Sequence, residues 1–379
     1  MTHPEPRIAI LGAGFAGLRA ARELRRLLPR AVLTLVSPSR EFIYLPSLIW
    51  IPGGQRNGDA LRSPLDGFLR RHAIEHRQGS VTGLAKSGRT VLTDSGPLEV
   101  DALLIASGGR FLKTLPGIEH ALTLCEGIPA AEAIGARLSA MRSGAIAFGF
   151  GSNPKEPSAM RGGPMFELLF GVDTWLRQQG RRANFRLTFF NPSAQPGQRL
   201  GDQAVAGLLA EMARRDIATH LGHKPLSFAA DSVTTEGGRL PADLILFMPG
   251  LTGPAWAESS DLPLSPGGFF AADEFCRVNG QEKIYVAGDA GSYPGPDWLP
   301  KQAHMAELQA VAAAHNLAAE LAGRTPFARP KAELACIIDD GAHGMLVYRS
   351  MKRNRALPAS RLFHWVKRGV EWRYLRGLR

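Results

Sequence analysis

The chain has 379 residues, 45% of them apolar and 21% charged, the make-up of a folded protein long enough for two domains. It contains no run of about eighteen apolar residues, so no membrane-crossing helix is expected, and three scattered cysteines, Cys125, Cys276 and Cys336, exclude a disulfide framework and a zinc site. The formal charge is +11, of which the segment from Lys331 to Arg379 carries +7, with eleven Lys/Arg against four Asp/Glu.

The start, MTHPEPRIAILGAGFAG, enters a strand directly, without a basic-then-apolar leader, and a cytoplasmic setting is expected. Arg7–Leu11 reads as a buried strand running into Gly12-Ala-Gly14-Phe-Ala-Gly17, followed by a helix, LRAARELRRLL, and a second strand, AVLTLVS. A glycine turn between strand and helix is the dinucleotide-binding pattern in its proper context. Gly12 permits the turn, Gly14 lets a pyrophosphate approach the backbone, and Gly17 lets the helix pack closely while its first N–H groups face the phosphates. Ser37 ends the second strand, where many such folds place an acidic ribose ligand.

Two further segments point to FAD as the nucleotide. VDALLIASGGR is an apolar strand ending in Ala106-Ser107-Gly108, and EKIYVAGDAGS is a strand ending in Gly288-Asp289, with a helix beginning near Lys301 downstream. An aspartate at such a turn can accept a hydrogen bond from a ribityl hydroxyl.

Between them, AIAFGF, a loop, FELLFGVDTWLRQQG and FRLTFFNPS repeat the strand–loop–helix–strand order. The loop, GSNPKEPSAMRGGP, is no ordinary glycine loop. The first half reads Gly149-Phe-Gly151-Ser-Asn-Pro154 and lacks a third glycine, Pro154 removes a backbone donor, and the next strand ends in Asn191 rather than an acid. NAD(P)H binding is disfavoured there.

The tail is Pro-punctuated, basic and aromatic. On a helical wheel Leu362, Phe363, Trp365, Val366, Val370, Trp372 and Tyr374 share one broad face, with His364, Lys367, Arg368 and Glu371 opposite. This is the profile of a helix lying in a membrane interface, with Lys352, Arg353 and Arg355 adding cations for anionic lipid. An amphipathic helix packed on the body is the simpler alternative. Nucleic acid is not an expected partner, because the aromatics group with the apolar face.

With these residues in view, the chain resembles the flavoproteins with two dinucleotide-binding domains, and among them sulfide:quinone oxidoreductase and the flavoprotein subunit of flavocytochrome c sulfide dehydrogenase. Beside the FAD segments, SREFIYLPSLIWI, LCEG, GGPMFE, LPKQAHMAE, ACIIDDGAHG and WVKRGVEWRYL carry the likeness along almost the whole chain. The resemblance implies FAD reduced by sulfide through cysteines beside the flavin, and oxidised by a quinone near the C-terminal segment. It implies FAD contacts from Gly12, Gly14, Gly17, Ser37, Val81, Ala106, Gly108, Gly288, Asp289, Lys301 and Gln302, with Pro300 in the first turn of the following helix. It further implies redox roles for Cys336 and Cys125, a proton-relay carboxylate in Glu167, and quinone contacts from Lys367, Tyr374 and Trp372.

The likeness breaks in one place. The family's central redox cysteine precedes the glycine–proline of GGPMFE, where this chain has Ala159-Met160-Arg161, and histidines of the family's substrate path appear as Pro129 and Arg199. A Cys125–Cys336 pair, Cys336 acting alone, and a donor other than sulfide all stay open.

The expected fold is α/β: two Rossmann-like domains, the second inserted in the first, plus a C-terminal amphipathic membrane-associating segment. The expected division is an FAD-binding domain over residues 1–115 and 246–325, a second Rossmann-like domain over 116–245, and a quinone- and membrane-interaction segment over 326–379. The function expected is a peripheral-membrane FAD oxidoreductase passing electrons from a small inorganic sulfur donor to quinone. The rival readings are an NAD(P)H:quinone oxidoreductase and a flavoprotein subunit serving a cytochrome. A homo-oligomer is compatible with all three.

Overall fold

The computed structural model describes residues 5–379, apart from the side chain of Cys125. In chain order it begins with β1 (Arg7–Leu11), α1 (Phe15–Leu27), β2 (Val32–Ser37), β3 (Glu75–Gln78) and β4 (Ala102–Ile105). It continues with α2 (Ile128–Ala140), β5 (Gly144–Phe150), α3 (Gly163–Gln178), β6 (Phe185–Asn191), α4 (Asp202–Arg214), β7 (Ala218–Leu221) and β8 (Leu244–Met248). It closes with β9 (Ile284–Val286), α5 (Ala303–Leu321), β10 (Glu333–Asp339), β11 (Gly344–Ser350), β12 (Asn354–Ser360) and α6 (Arg361–Leu378).

Two parallel five-stranded sheets organise the chain. The first runs β9-β4-β1-β2-β3, and the second runs from a short strand, Ala121–Leu122, through β8, β5 and β6 to β7. Their central strands are buried on both faces, which is why they read as near-continuous apolar runs. β9 returns beside β4 after the whole second sheet has been built, so the first sheet closes around an insertion.

Helices α1 and α5 pack together on the first sheet. Their facing residues are small: Ala16, Gly17, Ala20 and Ala21 on α1, and Ala306, Ala310, Ala313 and Ala314 on α5, all buried. Small contact residues allow close approach of the helix axes, and this brings the N-termini of both helices to one cleft. α5 begins at Ala303 with an extended Gln302 as its N-cap, so Pro300 and Lys301 precede the helix instead of opening it. They belong to a loop that folds back over Phe269.

The last 47 residues form a sheet and a helix, not a loose tail. β10, β11 and β12 make an antiparallel meander, and α6 lies across β10 and β11. The fully buried Asn316 side chain fixes the entry to this unit. Its amide donates to Phe275 O at 2.8 Å and Ala328 O at 2.7 Å, and its carbonyl oxygen accepts from the N–H groups of Phe327 and Ala328. No helix of the described residues is long and apolar enough to cross a membrane.

Candidate active site

The first glycine loop is shaped by steric need. Gly12 has φ +106°, and a Cβ there would lie 2.4 Å from Ala106 O. A Cβ on Gly17 would lie 1.8 Å from Gly12 O, so the helix can pack on the loop only without a side chain. Gly14 differs: nothing lies within 4 Å of its would-be Cβ. It caps α1 with no side-chain hydrogen bond and no acid in the first turn. Open space, free N–H groups and a positive helix end together suit a pyrophosphate.

Around this loop, Val81 lies on the neighbouring strand Val81–Ala85. The Ser37 hydroxyl donates to Ser39 O at 2.6 Å and meets His76 Nε2 at 2.9 Å. Gly108 has φ +73° with open space beside it. Gly288 has φ +75° and donates its N–H to Gln309 Oε1 at 3.0 Å.

A cavity of about 200 Å³ opens beside Gly288, Asp289, Lys301 and Gln302, with Glu156 and Ser158 on its far wall. Burial brings the Lys301 ammonium down to about 7. Its Nζ donates to Asp289 O at 3.3 Å and Gly291 O at 2.8 Å, and sits 3.8 Å from the centre of the Phe269 ring. The Asp289 carboxylate accepts from Arg161. Two buried polar atoms in this region, Ser107 Oγ and Gln302 Nε2, have no hydrogen-bond partner in the protein. Such atoms are costly unless a ligand completes them. The open glycine cradle and these two atoms fit FAD, whose phosphates, ribityl chain and ring would use both.

The second glycine segment is filled by protein. A Cβ on Gly149 would lie 2.5 Å from the Phe190 ring, and one on Gly162 would lie 2.7 Å from Phe150. Asn191 is buried, with its amide donating to Phe150 O at 3.0 Å and its oxygen accepting from Ser193 N. These glycines make room for aromatic rings, not phosphates. The loop itself is fixed by Asn153, which donates to Leu251 O at 2.9 Å and Gly267 O at 3.0 Å. That anchoring ties the loop to the segment around Leu251 and Gly267, and Arg161 within it reaches Asp289.

A second cluster joins α3, β10 and α6. Glu167 Oε1 accepts from Asp339 N at 2.9 Å and from Lys367 Nζ, and Lys367 also donates to Ile337 O at 3.3 Å. Burial is the main cause that raises the Glu167 carboxyl to about 7, with Lys367 opposing it. Cys336, on β10, is a free thiol beside this pair. Burial pushes it up to about 12, Glu167 adds to the rise, and Lys367 opposes it. Asp339 accepts from Trp50 Nε1 at 2.9 Å and pairs with His364 Nδ1 at 2.9 Å. Arg56 closes the row by donating to Glu371 Oε1 at 2.9 Å.

Helix α6 therefore turns its polar side inward. His364, Lys367 and Glu371 face the body, while Leu362, Trp365, Val366, Val370 and Trp372 face solvent, with Leu362 67%, Trp365 61% and Trp372 60% exposed. Tyr374 departs from the face the wheel gave it. It packs inward against Phe15, Phe42 and Tyr44, with centroids 4.9 to 5.6 Å away. The helix's inward face rotates round to position 374 because Leu375 and Leu378 are also buried. Of the three residues expected at a quinone, only Lys367 lies beside Glu167 and Cys336.

Cys125 sits in the short turn Leu124–Glu126, and the pairing expected for its thiol lies outside the described residues. Cys276 is fully buried and free. Sequence reasoning gave no role to Arg161, Arg56, Asp339 or His364. The doublet of acids after ACII and the arginine following the apolar run SLIWI were the available signals.

A family model described as pyridine nucleotide-disulphide oxidoreductase matches residues 6–147 and 176–310, and residues 148–175, which hold the second loop, fall between the two parts. Among curated proteins the chain is similar to a sulfide-quinone reductase of Aquifex aeolicus, 25% identical over 362 residues covering 88% of this chain and 81% of that one. It is also similar to a demethylphylloquinone reductase of Synechocystis, 24% identical over 364 residues covering 90% and 87%. Among solved structures, the sulfide:quinone oxidoreductase of Aquifex aeolicus superposes with a TM-score of 0.89 at 22% identity, covering 99% of this chain and 91% of that one. NDH2 of Plasmodium falciparum superposes with a TM-score of 0.75 at 12% identity, covering 96% and 94%. Both share the fold.

Proposed function

The chain belongs to the pyridine nucleotide-disulphide oxidoreductase family and is an FAD-dependent oxidoreductase; we propose that its electrons come from a small sulfur donor and leave to a quinone at a membrane surface. Bound in the cleft, FAD supplies an acceptor for two electrons that can pass them onward. Gly12, Gly14, Gly17 and the start of α1 would hold its phosphates. Asp289, Ser107, Lys301 and Gln302 would meet its ribityl chain and ring.

The remaining work falls to the chain. Quinone reduction consumes two protons, and Glu167, with a carboxyl near 7, can hold or release one at neutral pH. Lys367 hydrogen-bonds it and stands 5.5 Å from the centre of the Trp50 ring, so a cation and an aromatic face border the same spot. Cys336 beside them is kept as a thiol by burial, which suits a group that reacts only when a base or an oxidised partner is present.

The orientation of α6 carries the reading. An amphipathic helix that merely packs on a body buries its apolar side; this one turns His364, Lys367 and Glu371 inward, bonded to Asp339, Glu167 and Arg56, and presents leucine, valine and tryptophan outward. Arg361, Arg373 and Arg376 border that surface and are exposed. Tryptophans and arginines beside an apolar stripe are the composition of a helix seated at lipid headgroups. The test is hydrosulfide-driven reduction of a quinone analogue by the FAD-loaded protein, with and without vesicles containing anionic lipid. Turnover that rises with vesicles is expected. Activity only with a soluble cytochrome, and no vesicle binding, would support the partner-subunit reading.

The NAD(P)H reading has specific observations against it. Phe190 and Phe150 fill the space beside Gly149 and Gly162, and the Asn191 amide is used up inside the protein.

A further inference from the structure

Glu167 and Asp339 are two buried acids that meet at one place, and the fold holds them differently. Asp339 is 1% exposed. One oxygen of its carboxylate accepts from Trp50 Nε1 at 2.9 Å and Gly341 N at 2.8 Å, and the other lies 2.9 Å from His364 Nδ1. These three partners come from three separate segments of the chain. The backbone N–H of Asp339 in turn donates to Glu167 Oε1 at 2.9 Å. Glu167 receives that N–H and Lys367, and among the described residues no hydrogen bond joins the two carboxyl groups.

The other charges around Glu167 are absent or already matched. From β10 it faces Asp339 and the Cys336 thiol, and from α6 it faces Lys367. His364, also on α6, is bonded to Asp339. The segment Leu45–Trp50 and strand β5, both packed on α3, carry no charged residue. Arg56, beyond that segment, donates to Glu371. Asp173, further along α3, is held by Arg177, Arg182 and Arg215.

One cation and one anion therefore compete over Glu167. Burial favours its protonated form, Lys367 favours the ionised form, and the Asp339 charge adds to burial. An opposite charge in hydrogen-bond contact holds a carboxylate ionised, whereas a like charge at the same buried site disfavours a second one. We propose that Asp339 is a positioning residue for proton transfer, whose charge offsets Lys367 and keeps Glu167 able to carry an exchangeable proton. This rests on the reading of Glu167 as the proton carrier on the quinone side, and adds the group that governs its release.

The experiment uses the FAD-loaded full chain. Infrared spectra are recorded across pH, and the protonated-carboxyl band that Glu167→Gln abolishes reports Glu167 directly. Asp339→Asn should move the midpoint of that band down by about one pH unit, the scale of removing one nearby charge. Asp339→Ser removes the same charge and is read in its place where the asparagine variant does not fold. Lys367→Met should move the midpoint up. Asp340→Asn, which removes the neighbouring acid bound to Arg215, should leave it in place. A midpoint that stays or rises without the Asp339 charge, or an equal drop in Asp340→Asn, would overturn the proposal. The pH profile of quinone reduction is then measured in the same proteins. A rate inflection that moves with the band supports both the inference and the reading beneath it. A band that shifts while the rate profile stays put leaves the inference standing and defeats Glu167 as the quinone-side proton carrier.

Discussion

The ring of Tyr374, near the end of the chain, lies 4.9 Å from the ring of Phe15, the first residue of α1 after the glycine turn. The C-terminal helix thus braces the dinucleotide loop directly. Burial and the nearby Glu307 also push the Tyr374 phenol up, so it stays neutral. Tyr374→Ala removes a partly buried aromatic from a four-ring cluster and should cost about 2 kcal/mol of stability, below the range for a fully buried ring. It should also weaken FAD retention, measured as flavin content after dialysis. Trp372→Ala, which removes an exposed ring, should leave flavin content unchanged.

The Glu167 carboxyl, raised to about 7 chiefly by burial, makes stability fall with pH. In the unfolded chain it ionises near the usual carboxylate value, so between roughly pH 4.5 and 7 the folded state holds the extra proton. The contribution is full below that window and lost as pH rises through it. Glu167→Gln should flatten this slope in chemical denaturation, and should remove an inflection near pH 7 from the rate of quinone reduction.

Cys336 should alkylate slowly with iodoacetamide at pH 8, because burial first, and then the Glu167 charge, keep it protonated up to about 12. The neighbours pull in opposite directions. Glu167→Gln should speed the reaction and Lys367→Met should slow it, as followed by mass spectrometry of the labelled peptide. Equal rates in all three proteins would remove the electrostatic link between Cys336 and the Glu167–Lys367 pair.

Replacing Trp365 and Val370 together by glutamate should lower binding to anionic vesicles at least about tenfold, as expected for losing two apolar side chains from the lipid contact. Both residues are exposed, at 61% and 51%, so the melting temperature should stay close to that of the parent. Cosedimentation that is unchanged by the double substitution would sink the membrane role of α6.

Much of this arrangement is legible in the sequence, and the rest fails for physical reasons. Gly12, Gly14 and Gly17 announce the first loop because strand, turn and helix requirements coincide over a few neighbouring residues. The apolar stripe of α6 is equally visible on a wheel. A wheel does not say which side meets the body, since that depends on Arg56, Glu167 and Asp339, which come from distant parts of the chain. Tyr374 belongs inward for the same reason. The start of α5 shifts because Lys301 is drawn to the carbonyls of Asp289 and Gly291 instead of joining the helix. Arg161 reads in the sequence only as a missing cysteine; it reaches Asp289 from a loop that Asn153 ties to the segment around Leu251 and Gly267.

The central claim is that electrons enter from a sulfur compound and not from a nicotinamide. Anaerobic stopped-flow mixing of the FAD-loaded protein with hydrosulfide, 3-mercaptopropionate, NADH and NADPH tests it most directly, by the absorbance of oxidised flavin. The account predicts rapid bleaching by at least one of the sulfur compounds and none by either nicotinamide; bleaching by NADH or NADPH with no response to sulfur would contradict it.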